Sequence, residues 1–121
     1  MMLKSKLIAL SEVRPTETSH HCGQKRVLIG NDDTASDITQ IAITTMAKGE
    51  TSGKHVHPTM EEYFLVRKGR LRIDCGEDVF IANADDFISI PANMPHNVTA
   101  LTNVEMMTIG CALHEKCTPI E

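Results

Sequence analysis

The feature that most constrains this chain is a run of short apolar-alternating stretches, separated by turn residues roughly every 8 to 12 positions. Ile38 to Met46 is the clearest of them. There Ile38, Gln40, Ala42 and Thr44 share one face of a strand, and Thr39, Ile41, Ile43 and Thr45 share the other. Lys25 to Gly30 reads as an earlier strand, and Asn31 to Ser36 as a polar turn. Tyr63 to Val66 ends at Lys68-Gly69-Arg70, and Leu71 and Ile73 then alternate with Arg70, Arg72 and Asp74. Val79 to Ile81, Phe87 to Ile90, His96 to Ala100 and Val104 to Ile109 complete the series. No stretch keeps a helical period for three turns, and no segment repeats. The pattern predicts an all-β sandwich or barrel.

At 121 residues the chain has the size of one domain with one core. The expected organisation is a barrel core over about 25–112, an N-terminal arm over 1–24 and a C-terminal tail over 113–121. Hydrophobic residues make up 41% and charged residues 23%, the balance of a globular protein rather than a disordered one. The net charge is −4 and the basic residues are scattered, which argues against nucleic acid or an anionic membrane as partner. Apolar runs are far shorter than the roughly 20 residues of a spanning helix. Met1 to Leu10 has no extended apolar core with a small-residue cleavage site, so a cytoplasmic protein is expected. Four cysteines, Cys22, Cys75, Cys111 and Cys117, have no C-x-x-C pairing and read as reduced packing groups. With three Phe, one Tyr and no Trp, an aromatic stacking surface is not expected.

His55-Val56-His57 carries the first chemical signal. On a strand, residues i and i+2 point to one face, so both imidazoles aim into one space about 7 Å apart along the chain. Such a pair suits neighbouring metal ligands, although His-x-His alone is a weak signal. Glu62 follows after four residues, Gly69 after six more, and His96 lies on a later strand behind Pro91 to Pro95.

These residues resemble the two motifs of the cupin family. The first family motif is a glycine, five residues, His-x-His, three or four residues, a glutamate, six residues and a glycine. Gly49, His55, His57, Glu62 and Gly69 meet every fixed position. The second runs glycine, five residues, Pro-x-Gly, two residues, His, three residues, Asn. Pro91 and His96 match it, whereas Asp85, Asn93 and Ala100 stand in place of Gly, Gly and Asn. Asn tolerates the left-handed conformation that a tight turn demands. The resemblance implies a single double-stranded β-helix, or jelly-roll barrel, and places the family's metal ligands on His55, His57, Glu62 and His96. Glu61 competes with Glu62 because a three-residue spacing also occurs, but the six residues to Gly69 favour Glu62 and strand alternation turns Glu61 outward.

Three neutral imidazoles and one carboxylate suit one divalent transition metal, Mn, Fe, Ni, Co or Zn, better than Ca or Mg. Four protein donors on a six-coordinate ion leave two positions for water or substrate. His20-His21-Cys22 and His114 with Cys117 read as solvated surface. Arg70 and Arg72 read as an outward face, with binding of a substrate carboxylate as the sharper alternative.

Alternation also yields an expected pocket lining of Gln40, Ala42, Thr44, Phe64, Val98, Met106 and Thr108, with Val66 on the same face as Phe64. Tyr63 should face away, and no inward Lys, His or acid beyond the ligands can be placed. Catalytic groups are therefore not assigned, and any chemistry falls to the metal. Two functions follow: a metal-dependent oxygenase, isomerase or lyase acting on a small molecule, or a non-catalytic metal- or ligand-binding module. Small cupins commonly pair, so a homodimer is expected, with the N-terminal segment as an interface strand.

Overall fold

The computed structural model describes residues 3–114. Nine strands make up its regular structure, β1 (Thr16–Glu17), β2 (Gln24–Gly30), β3 (Ile38–Met46), β4 (Met60–Lys68), β5 (Leu71–Cys75), β6 (Asp78–Ala82), β7 (Phe87–Ile90), β8 (His96–Ala100) and β9 (Val104–Ala112). The only helical pieces among the described residues are two three-residue 3-10 turns, Leu10–Glu12 and Asn31–Asp33. Six strands form one sheet in the order β1-β2-β3-β9-β4-β7, and three form a second in the order β6-β5-β8. Every pairing is antiparallel.

The two sheets bury their facing sides because period-two alternation gives each strand one apolar side. On β5, Leu71 and Ile73 are fully buried while Arg72 between them is exposed. Val66 of β4, Ile90 of β7 and Ala100 of β8 are almost completely covered. Truncating Leu71 or Ile73 to Ala would cost about 2–5 kcal/mol, as for other buried branched side chains.

Register separates this plug from the other end of the barrel. One lateral row of inward positions runs through Thr44, Met106 and Val66, and another runs through Gln40, Gly110, Glu62 and Ile90. Between the rows lie Ala42, Thr108 and Phe64. Most of the apolar core thus lies toward one end of the barrel, and the row that carries Gln40 and Glu62, with the buried Ile90 at its edge, lies toward the other.

The sequence expectation differs from the fold at one functional point. His55 and His57 do not lie on a strand; they occupy an extended connector between β3 and β4 that meets β8 through two isolated bridges, Thr51 with Thr99 and His55 with His96, and through scattered hydrogen bonds of Gly49, Glu50 and Ser52. Gly49 and Gly53 adopt positive φ there, and Pro58 follows His57, so the connector bends instead of pairing continuously. Cys22, Cys75 and Cys111 are free thiols. Cys117 lies outside the described residues. No helix among the described residues is long and apolar enough to cross a membrane.

Candidate metal centre

His55 and His57 come from the connector, Glu62 from the start of β4 and His96 from the start of β8. The ring centroids of the three histidines lie 4.9 Å (His55 to His57), 4.1 Å (His55 to His96) and 5.5 Å (His57 to His96) apart. One donor atom from each of the three and from Glu62 falls within a cluster whose members all lie within 4.8 Å of one another. Glu62 Oε1 is 2.9 Å from His57 Nε2 and 3.2 Å from His96 Nε2. Adjacent ligands about 2.1 Å from a shared ion at right angles would stand about 3 Å apart, so these separations fit a coordination sphere.

The tautomers fit as well. His55 Nδ1 lies 2.9 Å from the Gly53 carbonyl and His96 Nδ1 lies 2.8 Å from the Met94 carbonyl, so each Nδ1–H donates to the backbone. That leaves Nε2 of each ring as the candidate donor atom, as in metal-binding histidines; His96 Nε2 donates to Glu62 Oε1 at 3.2 Å and would shed that proton to ligate.

Electrostatics pull the members in different directions. Burial pushes the Glu62 carboxyl up, but the hydrogen bond from His96 and the nearby histidines outweigh it and hold the group below its usual value. Burial lowers His55 below the ordinary histidine value, against the Gly53 carbonyl that raises it. Burial also acts to lower His96, yet its hydrogen bond to Glu62, the Met94 carbonyl and the Glu62 charge together raise it.

Glu61, one residue earlier, turns outward and accepts a hydrogen bond of 2.7 Å from the Tyr63 hydroxyl, while the Tyr63 ring stacks on Phe87 at 6.1 Å. Both are thereby removed from the site.

A cavity of about 300 Å³ opens beside the cluster. Of the residues expected to line it, Gln40, Thr44, Phe64, Val98, Met106 and Thr108 do so; Ala42 faces the same side but is completely covered. The Thr44 and Thr108 hydroxyls share one hydrogen bond of 2.9 Å.

Among the lining residues that escaped the sequence reading, two are basic. His20, expected at the solvated surface, packs its ring 4.1 Å from that of His55 and 6.3 Å from that of His57. Burial is the main reason its imidazole titrates below the usual value. Lys25 also lines the cavity, an inward lysine that the sequence did not place, and its Nζ donates to Gln40 Oε1 at 2.7 Å. The arm that carries His20 is tied down through Gly23, whose N–H donates to Glu50 Oε2 at 2.8 Å, while the other oxygen of Glu50 accepts from Ala47. Lys25 falls on a strand the sequence shows, but the face it takes depends on the register with Ile38–Met46; no sequence signal was present for His20. His21 lies beside Glu17, His114 beside Asp37, and Arg72 pairs with Asp74, all away from the cavity.

The family model for the cupin domain matches residues 42–110, a stretch that contains all four clustered donors. The chain belongs to the cupin family. Among characterised relatives, this cupin is 27% identical over 94 residues to the polyketide synthase CurC of Streptomyces cyaneus, covering 78% of this chain and 60% of CurC. It is 27% identical over 74 residues to quercetin 2,3-dioxygenase of Bacillus subtilis, covering 61% of this chain and 22% of the dioxygenase. The cupin thus spans less than two thirds of either relative. Among solved structures, a predicted oxalate decarboxylase from Thermotoga maritima superposes with a TM-score of 0.81 at 16% identity, over 89% of this chain and 100% of the other. Ectoine synthase from P. lautus gives 0.77 at 15% identity, over 89% and 78%. These likenesses establish the jelly-roll fold of the cupin.

Proposed function

We propose that this cupin holds one divalent transition-metal ion, Mn, Fe, Ni, Co or Zn, through His55, His57, Glu62 and His96, and acts on a small molecule in the adjoining cavity as a metal-dependent enzyme. The observation that carries the reading is the convergence of four donor atoms within 4.8 Å at a cavity of about 300 Å³. Backbone carbonyls fix two of the imidazoles with Nε2 directed at the cluster. When bound, such an ion supplies Lewis-acid polarisation of an oxygen placed in its open positions.

The chain's own residues would bind and orient the substrate. Phe64, Val98 and Met106 provide an apolar wall, and Gln40 and Lys25 provide polar contacts. With Tyr63 turned outward, His20 at the mouth is the one cavity histidine outside the donor set. The relatives named for a dioxygenase, a predicted decarboxylase and a synthase support an oxygenase, isomerase or lyase class of reaction. The mutual satisfaction of Thr44 and Thr108 leaves few groups to carry protons, which favours a second reading, a non-catalytic binding module.

Metal analysis by mass spectrometry on untagged protein, purified without chelator, tests the first step. About one transition-metal ion per chain is expected, with that metal then used to screen metal-chelating small molecules for turnover. A protein that takes up no metal would overturn the reading. Uptake and binding without turnover of any chelating substrate would select the binding module.

Pairing of two copies belongs to the same proposal. Leu65 and the 62%-exposed Phe87 stand opposite each other on the outer face of β4 and β7, an apolar surface suited to a second chain. A solution mass of one chain would exclude it.

A further inference from the structure

The Lys25–Gln40 pair serves neither the plug nor the proposed coordination sphere. Lys25 stands opposite Thr44 in the β2–β3 register, so its side chain shares the inward face of that sheet. Its Nζ reaches Gln40 four positions along β3, with the small Ala42 between Thr44 and Gln40 on the same face. Lys25 is the single Lys or Arg among the residues lining the cavity, and it forms no ion pair among the described residues. This part-buried ammonium is opposed by a neutral amide, and an anionic ligand would supply its counter-charge.

Register also gives the spacing. Gln40 and Glu62 lie in one lateral row with Gly110 between them, two strand spacings or about 10 Å apart along the backbone. Gly110 adds no side chain to this row, and Thr39 and Met60 close over its Cα, so a ligand spanning the two polar positions would pass beside them. The intervening walls are apolar, formed by Phe64, Val98 and Met106.

We propose that Lys25, held by Gln40, binds a carboxylate of the ligand, so that this cupin takes small carboxylates carrying metal-chelating oxygens at the far end of a short carbon chain. The proposal rests on the reading of the cavity as the ligand site beside the metal. A single ammonium and one amide match a carboxylate; a phosphate dianion would call for more donors than this wall offers.

The test uses zinc-loaded full-length protein and two matched series of probes. One series is hydroxamates ending in a carboxylate after two to four methylenes; the other ends in methyl. By isothermal titration, the wild type should prefer the carboxylate series by at least about tenfold, the discrimination of a charge-assisted hydrogen bond. Lys25→Met should abolish that preference while leaving the affinity for the methyl series unchanged. Gln40→Glu should do the same by placing a permanent counter-charge on Lys25, and it stands in if Lys25→Met does not fold. In parallel, glutarate is titrated into metal-free protein while the labelled Lys25 side-chain carbon is followed by NMR. If zinc is taken up and no carboxylate preference appears, or the preference survives in Lys25→Met, the proposal is overturned and the metal reading stands. If zinc is not taken up but glutarate moves the Lys25 signal, and Lys25→Met loses glutarate binding, the metal reading falls and the anion site stands. If zinc is not taken up and the Lys25 signal stays still, both fall.

Discussion

His55 and His96 face each other through reciprocal backbone hydrogen bonds, the N–H of each donating to the carbonyl of the other at 2.9 Å. The connector that carries two of the clustered histidines is therefore pinned to β8, which would preorganise the proposed metal site. Metal binding should leave the backbone in place: in amide NMR spectra, shifts confined to the connector, the start of β4 and the start of β8 are expected. Because an ion binds only the folded form, a hundredfold excess over its Kd should stabilise by about 2.7 kcal/mol and raise Tm by about 10 °C. Spectral change across both sheets would contradict a preformed site. His57→Ala and Glu62→Gln should each reduce metal content well below one per chain.

Metal binding should release a proton, and the source is His96. Its imidazole titrates above the usual value of 6.5 in the metal-free protein, held there by Glu62 and the Met94 carbonyl against the effect of burial. A folded-state value raised in this way stabilises the metal-free protein fully below pH 6.5, and the contribution is lost as the pH rises through the folded value. His55, lowered mainly by burial, works in the opposite sense: its contribution is present above 6.5 and is lost as the pH falls through its lower value. Metal affinity should thus increase with pH just above 6.5, where His96 must shed its proton to become a ligand. Calorimetry in buffers of differing ionisation enthalpy would count the proton released, and Glu62→Gln, which removes its partner, should reduce that count.

Asp85 and Asn93 both sit in left-handed backbone, with φ of 73° and 65°. They occupy the two positions at which the second family motif has glycine. Asn and Asp are the side chains that best accept this conformation, and a β-branched residue is far worse. Asn93→Gly and Asp85→Gly should keep or raise Tm, whereas Asn93→Val or Asp85→Val should cost about 1–2 kcal/mol. Denaturant titration of the four variants would decide it, and equal stability of the Gly and Val forms would show the turns to be freely remodelled.

Gly110 should resist even alanine. A Cβ built there would lie 2.4 Å from Thr39 Oγ1, so the hydroxyl must move. Overpacking of this kind costs about 1–3 kcal/mol. Thr39→Ala in the same chain should restore most of the loss, since it removes the atom in the way. The double-mutant cycle measures this coupling directly; independent effects would mean that the strand moved instead.

The strands were legible in the sequence because alternation is a short-range rule, and the clustering of His55, His57, Glu62 and His96 was legible through the family motifs. Ile38–Met46, Phe87–Ile90 and His96–Ala100 appear where period-two alternation placed them. Glu62 is separated from Glu61 by nothing more than which face each takes, and β4 supplies that. Lys25 and His20 were not legible for different reasons. A lysine on a strand reads as solvent-facing until its register partner is known, and Lys25 stands opposite Thr44, on another strand. His20 approaches His55 because Gly23 turns with φ of 72° and hands its N–H to Glu50, a contact 27 residues away in the chain. No local pattern encodes that closure.

The outward and inward sides of β4 also hold a latent alternative chemistry. Glu61 and Glu62 are adjacent carboxylates, and Tyr63 and Phe64 are adjacent rings, each pair split across the sheet. Were β4 to slide by one residue against β9, Glu61 would replace Glu62 opposite Gly110, and Tyr63 would replace Phe64 opposite Thr108. A carboxylate would still stand beside the three imidazoles, but the wall would acquire a phenolic hydroxyl able to move protons. A lineage descended from this chain could thus gain an acid–base group by a shift in strand pairing, without inventing a new residue.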